Sequence, residues 1–276
     1  MSIQRIASFC LNGTGGNPAG VLITAELPTP ADMQRIAAEV NYSETVFAAP
    51  QDDGFRVRYF APQAEVPFCG HATIALGAAL GAANGDGRYV LFLNDGQIET
   101  TAYQDGDAWG ASLISPPTHH RPAEAELTHQ ALALFGLGRG DLDPDLDLLR
   151  INGGADHLLI PLANASLLRA MDYDFARGAA LMQAFGLVTI CLIWRESPSL
   201  IHARNPFAGH GVYEDPATGA AAAALAGYLR DTGHSAHPFE IRQGAEMGAP
   251  SRLLVEPLPK KGGAVQISGS TRIITD

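Results

Sequence analysis

The segment EVPFCGHATIALGAAL, Glu65 to Leu80, returns as EDPATGAAAAALAGYL, Glu214 to Leu229, at a constant offset of 149 residues with seven of sixteen positions identical. Alanine and leucine matches arise easily between helices. The matches of Glu65 with Glu214, Pro67 with Pro216 and Gly70 with Gly219 do not follow from composition. Self-similarity at a fixed spacing marks an internal repeat, so the chain reads as two similar halves. Each copy passes from a turn holding Pro and Gly into a run of small residues, which predicts helices near His71 to Ala83 and Thr218 to Arg230. Runs such as ATIALGAALGAA carry almost no polar face, so these helices must be enclosed by other structure with backbones packed closely around them.

The segments between the repeats are rich in strand signals. Thr29, Pro30 and Asp32 start a helix in which Met33, Ile36, Ala37 and Val40 recur at helical spacing. Strands are predicted at Ser43 to Phe47, Phe55 to Tyr59, Tyr89 to Leu93, Ile98 to Tyr103 and Trp109 to Ile114. The stretch SPPTHHRPAEAE, Ser115 to Glu126, is polar and carries three prolines, and reads as a linker. Beyond it, helices are predicted near Leu127 to Phe135 and Phe175 to Phe185, and strands near His157 to Pro161, Val188 to Trp194 and after Phe239. The fold class expected is α+β, with two pseudo-symmetric, strand-rich halves each wrapped on a central α-helix. Residues 1–117 form the first half and 118–276 the second, whose last strand is free to pack on the first. An ordinary buried helix in an open α/β sheet is the competing architecture.

Composition narrows the function. A chain of 276 residues, 46% hydrophobic and 17% charged, can bury a real core. Its formal net charge of −11 repels polyanions and leaves no basic stripe for nucleic acid. Three widely spaced cysteines, Cys10, Cys69 and Cys191, argue against a disulfide framework and for a reducing compartment. The N-terminal segment lacks a signal-peptide core and no long apolar run occurs, so a cytoplasmic protein without a membrane partner is expected. The glycine-rich stretches Gly13 to Gly16 and Gly136 to Gly140 lack a phosphate-loop fingerprint. His119–His120 and His234 with His237 lack partner ligands. Neither a cofactor nor a metal is expected.

Two groups of residues carry chemical promise. A helix start exposes unpaired N–H groups and the positive end of the helix dipole, so Gly70-His71-Ala72 and Gly219-Ala220-Ala221 are anion cradles in waiting. They are equally readable as tight turns before buried helices. His71 can orient a proton or cap its helix, Asp215 can hold a substrate group or cap, and Cys69 can act as a base or pack as a small buried residue.

NPAGV at Asn17 to Val21, SETVF at Ser43 to Phe47, FCGHAT at Phe68 to Thr73, EDPATGAA at Glu214 to Ala221 and QGAEMGAPS at Gln243 to Ser251 occur together and in this order. In this the chain resembles the PhzF-like (phenazine biosynthesis-like) family. The resemblance implies two β-barrel-like halves each wrapped on a central α-helix, the fold shared with diaminopimelate epimerase and proline racemase, with the active site in a cleft between the halves. It also implies a cofactor-independent isomerase that shuttles a proton between carbons of a small carboxylic acid, with Glu44 as the acid/base. His71 and Asp215 would assist, with Ser43, Gly70, Ala72, Thr218, Gly219 and Ala220 around the substrate, in a homodimer. The chain departs from the family pattern at Ala220, where serine often follows the glycine, and at Ala249, where arginine is frequent. Related epimerases use a thiolate pair, but here Cys69 aligns with Thr218. An amino-acid epimerase or racemase using Cys69, and a non-catalytic small-molecule binding protein, are the alternatives.

Overall fold

Strands dominate the computed structural model, which describes residues 3–275. The chain divides into two units, Met1–Ile114 with Ser268–Asp276, and Ser115–Ile267. In the first, the order is β1 (Gln4–Ser8), β2 (Asn17–Ile23), α1 (Pro30–Val40), β3 (Thr45–Gln51), β4 (Gly54–Phe60), β5 (Glu65–Val66), α2 (Gly70–Asn84), β6 (Gly87–Leu93), β7 (Gly96–Asp105) and β8 (Ala108–Ile114). Thr29 caps α1 by accepting the N–H of Asp32, and Pro30 opens the helix, where its missing N–H costs nothing. Successive strand residues face opposite ways, and β3 thereby separates a pair of apolar clusters. Val46 and Ala48 pack with α2, while Phe47 joins Met33 and Ala37 of α1. The strand begins at Thr45, so Ser43 and Glu44 lie on its approach instead of within it.

The small residues of α2 have the expected consequence. Every residue from His71 to Gly81 is buried, with strands on several sides of the helix. At Gly81 a Cβ would stand 2.5 Å from the Trp109 ring and 2.7 Å from the Ala102 Cβ, so only glycine admits β7 and β8 at this distance.

The second unit continues with β9 (His119–Pro122), α3 (Ala125–Leu134), β10 (Leu149–Asn152), β11 (Asp156–Pro161), α4 (Ala165–Arg169), α5 (Phe175–Phe185), β12 (Thr189–Ser197), β13 (Leu200–Phe207), β14 (Val212–Asp215), α6 (Gly219–Asp231), β15 (Phe239–Gln243), β16 (Ser251–Pro257) and β17 (Val265–Ile273). From Ser268 onward β17 belongs to the first unit. There it pairs with β1 and β8, and the ring β1–β2–β3–β4–β6–β7–β8–β17 closes as an eight-stranded barrel around α2. In the second unit β9, β10, β11, β12, β13, β15 and β16 pair in succession. Here α6 packs on β9, β10, β11 and β16, and α3 and α5 cover the sheet through Leu127, Leu181 and Met182.

The stretch Ser115 to Glu126 is not the linker its prolines suggest. It contains β9, and Ser115 N–H donates to the Val265 carbonyl at 2.9 Å and Thr118 N–H to that of Gly263 at 3.2 Å. Pro122 is tolerated because it stands at the strand's last position.

Both units follow one path, which accounts for the repeat. An antiparallel pair (β1–β2, β10–β11) leads through helix to a parallel strand (β3, β12). An antiparallel partner (β4, β13), a short strand (β5, β14), the buried helix (α2, α6) and a further parallel strand (β6, β15) follow. The matched glutamates share one role. Arg58 on β4 grips Glu65 with two hydrogen bonds of 2.8 and 2.6 Å, and Arg204 on β13 grips Glu214 with bonds of 3.0 and 2.5 Å. Such forked pairs fix orientation as well as charge, and each ties the short strand before the buried helix to the strand beside it.

Candidate active site

Glu44, from the approach to β3, converges with Cys69 and His71 at the start of α2. The backbone of Glu44 is held just before β3 begins, its carbonyl accepting the Gly20 N–H at 3.2 Å. Cys69 is the N-cap of α2 and makes no side-chain capping bond, and the first helical hydrogen bond is Thr73 N–H to the Cys69 carbonyl at 3.0 Å. The amides of Gly70, His71 and Ala72 precede that bond, where helix geometry provides no intrahelical acceptor. The donors expected of this segment are thus at a helix start.

The imidazole of His71 lies between the other two groups. Its Nδ1 is 3.3 Å from Cys69 Sγ, and its Nε2 is 3.5 Å from Glu44 Oε2 and 3.4 Å from Ser43 Oγ. The His71 side chain is 7% exposed and that of Glu44 17%, so solvent has only limited access to the carboxylate. The 3.5 Å separation is long for a hydrogen bond, a looseness common in acid/base groups before substrate binds. Carboxylate, imidazole and thiol can each take or give a proton, and helix-start amides favour negative charge beside them.

The sequence leaves the support of this cluster unseen. Ser8 on β1 donates its hydroxyl to the His71 carbonyl at 2.7 Å. Thr73 donates to the Cys69 carbonyl at 2.7 Å and shares a 2.7 Å contact with the buried Tyr59 hydroxyl, whose pKa is pushed well up by burial. No motif announces Ser8 or Tyr59, because their role depends on the barrel closing.

The other residues expected at the site belong to the second unit. Thr218 is the N-cap of α6, as Cys69 is of α2, and its hydroxyl donates to Asp215 Oδ2 at 2.6 Å. Gly219 and Ala220 form the first positions of that helix. Gln243, noticed in the sequence only within QGAEMGAPS, clamps the turn. Its Nε2 donates to the Asp215 carbonyl at 2.6 Å and to Thr218 Oγ1 at 3.0 Å, and its Oε1 accepts the Thr218 N–H at 3.2 Å. Gly244 has φ +76°, and a Cβ there would stand 2.8 Å from the Pro216 carbonyl, so the loop carrying Ala249 packs directly on the turn.

Among the described residues no helix is long and apolar enough to cross a membrane. The family model described as phenazine biosynthesis-like protein matches residues 6–276. An uncharacterized isomerase of Deinococcus radiodurans is 32% identical, with 98% of this chain and 91% of the relative covered. The trans-2,3-dihydro-3-hydroxyanthranilate isomerase of Pseudomonas aeruginosa is 34% identical over 96% of this chain and 94% of its own. A Bacillus anthracis phenazine biosynthesis protein superposes with a TM-score of 0.83 at 22% identity, over 99% of this chain and 96% of that one. A probable proline racemase of Agrobacterium radiobacter, at TM-score 0.64 and 13% identity over 99% of this chain and 90% of that one, shares the fold.

Proposed function

The chain belongs to the phenazine biosynthesis-like family and is an isomerase, and from that premise we propose that it moves a proton between carbons of a small carboxylic acid, with Glu44 as the acid/base. The observation that carries this reading is the half-sheltered Glu44 carboxylate, 3.5 Å from His71 Nε2 beside the start of α2. Glu44 takes the proton from a carbon next to an unsaturated or carbonyl-bearing group and returns it to another carbon of the same framework. The amides of Gly70, His71 and Ala72 stabilise the negative charge that builds up in between. His71, within reach of Glu44 and Ser43, orients the carboxylate and a substrate hydroxyl or amine. This chemistry uses no organic cofactor and no metal.

The second unit enters the proposal through Asp215, held by Thr218, as acceptor for a substrate amine or hydroxyl proton, with the amides near Gly219 and Ala220 as further anion donors. Trans-2,3-dihydro-3-hydroxyanthranilate, named in the Pseudomonas relative, is the first acid to assay. Ala220 and Ala249 replace a frequent serine and arginine, so the substrate class extends to other small acids bearing an amino or hydroxyl group. A homodimer in the cytoplasm belongs to the same proposal, and sedimentation as a single monomer at micromolar concentration would contradict the dimer.

The 3.3 Å approach of Cys69 Sγ to His71 Nδ1 favours one second reading, an epimerase with Cys69 as a base. Solvent deuterium separates the two. In heavy water an isomerase yields a product labelled at a new carbon, whereas an epimerase labels and inverts one stereocentre. Acids that bind but are neither isomerised, epimerised nor labelled would refute both and leave a binding protein.

A further inference from the structure

We propose that Glu44, Cys69 and His71 form a three-ligand site for Zn²⁺, and that the ion, once bound, shuts the active site down. The metal site does not require the proton-transfer reading, whereas the shutdown rests on it. One carboxylate oxygen, one sulfur and one imidazole nitrogen lie within 4.8 Å of one another. Tetrahedral zinc holds sulfur at ~2.3 Å and nitrogen or oxygen at ~2.0–2.1 Å. Those bonds, at tetrahedral angles, put sulfur and nitrogen roughly 3.6 Å apart and nitrogen and oxygen roughly 3.3 Å apart. The structure has Cys69 Sγ 3.9 Å from His71 Nε2, and Nε2 3.5 Å from Glu44 Oε2. The nitrogen–oxygen spacing is close to the ideal, whereas Sγ lies nearer Nδ1, at 3.3 Å, and up to 4.8 Å from the carboxylate oxygen, so Cys69 must turn about its Cα–Cβ bond to bring the sulfur to the Nε2 side.

The ligand types agree with the spacing. Thiolate and imidazole select zinc over magnesium or calcium, and three protein ligands leave a fourth position for water or a substrate carboxylate. The positions are also braced from behind. Ser8 holds the His71 carbonyl, and Thr73 holds that of Cys69. His71 is 7% exposed and Glu44 17%, so the chelating atoms are sheltered from competing solvent.

Binding replaces the thiol proton of Cys69 by the metal and releases that proton to water. A bound ion would also take the Glu44 lone pair and the His71 nitrogen, so the groups assigned to proton transfer would be unavailable. Zinc here acts as an inhibitor, in contrast to sites where it activates water.

The test titrates chelator-treated protein with Co²⁺, a spectroscopically visible stand-in, and then displaces it with Zn²⁺. The expected result is one Co²⁺ per chain, with a thiolate-to-cobalt charge-transfer band that is lost in Cys69→Ala and kept in Cys10→Ala. Glu44→Gln should weaken Zn²⁺ by more than the ~10–100-fold typical of losing an outer-shell partner. Absence of the band in the wild type, its persistence in Cys69→Ala, or undiminished Zn²⁺ affinity in Glu44→Gln would each overturn the site. A melting curve for each variant separates loss of ligand from loss of fold. Because the readout is binding, failure of the site leaves the isomerase reading untouched, and the converse holds.

Discussion

His157, fully buried on β11, should make the second unit lose stability as pH falls from neutrality. Its Nδ1 is 2.7 Å from Thr189 Oγ1, whose own hydroxyl donates to Asn205 Oδ1 at 3.1 Å. The Thr189 proton is thus committed to Asn205, and the imidazole must carry its hydrogen on Nδ1. That leaves Nε2 bare, buried and without a hydrogen-bond partner. A second proton would sit on Nε2 with no acceptor, so burial pushes the pKa from 6.5 down to about 4, with Asp156 opposing weakly. In the unfolded chain the ring titrates at its ordinary value. Between those two values the unfolded state holds more protons than the native one, so stability falls as pH drops through this window and levels off below it. Each tenfold change in proton affinity is worth about 1.4 kcal/mol, so the loss amounts to ~3 kcal/mol. Urea unfolding at a series of pH values would measure it, with His157→Asn as the comparison. Asparagine can still donate to Thr189 but cannot titrate. The variant should be less stable at neutral pH because of lost packing, yet its curve should lack the drop between about pH 6.5 and about pH 4. Wild type and variant curves that run parallel across the window would show that His157 does not set the pH dependence, as would a His157 ring resonance titrating near its ordinary value.

The two repeat ion pairs should respond unequally. Glu214→Gln strands the buried Arg204 and should cost ~3–5 kcal/mol in urea unfolding, whereas Glu65→Gln, on a more exposed pair, should cost about 1 kcal/mol or less. Gly81→Ala drives a methyl into Trp109 and should destabilise by ~1–3 kcal/mol despite alanine's better helix propensity, read from the melting temperature. Exhaustive chelation should leave turnover of an identified substrate unchanged, and added Zn²⁺ should suppress it reversibly; turnover lost on chelation and restored by one metal would contradict both metal statements. Cys69→Ala should lower the proton-transfer rate only modestly, and a loss as large as that of Glu44→Gln would favour the thiol epimerase.

Which features can be read before folding depends on how local their cause is. Helices α1, α2 and α6 follow from neighbouring residues: a Thr-Pro start, or a run dominated by Ala, Gly and Leu. The match of Glu65 with Glu214 is visible in the sequence, but the partners Arg58 and Arg204 are not. They are 146 residues apart instead of 149, because the stretch between the paired Pro206 and Glu214 is three residues longer than that between Phe60 and Glu65. The stretch from Ser115 misleads because proline composition signals loops, while the pairing of β9 with β10 is decided by residues some thirty positions on. Glu44, Cys69 and His71 each stand out by residue type and motif, but their mutual approach belongs to the barrel and not to any one segment. Gln243 shows the same limit, since its hold on Asp215 and Thr218 spans a helix and a strand.

Glu44→Gln removes the proton-carrying carboxylate on which the proposed reaction depends. Glutamine keeps the shape and the hydrogen bonding of the side chain but cannot accept a proton from carbon. The measurement is the rate of proton transfer between carbons of a turned-over acid in heavy water, followed by nuclear magnetic resonance, alongside binding of the same acid and the melting temperature. Positioned acid/base groups contribute ~10²–10⁴ in rate, and one group serving both halves of a transfer contributes more. Near-total loss of transfer is expected, with binding and melting temperature retained. A Glu44→Gln protein that moves the proton at close to the wild-type rate would contradict it.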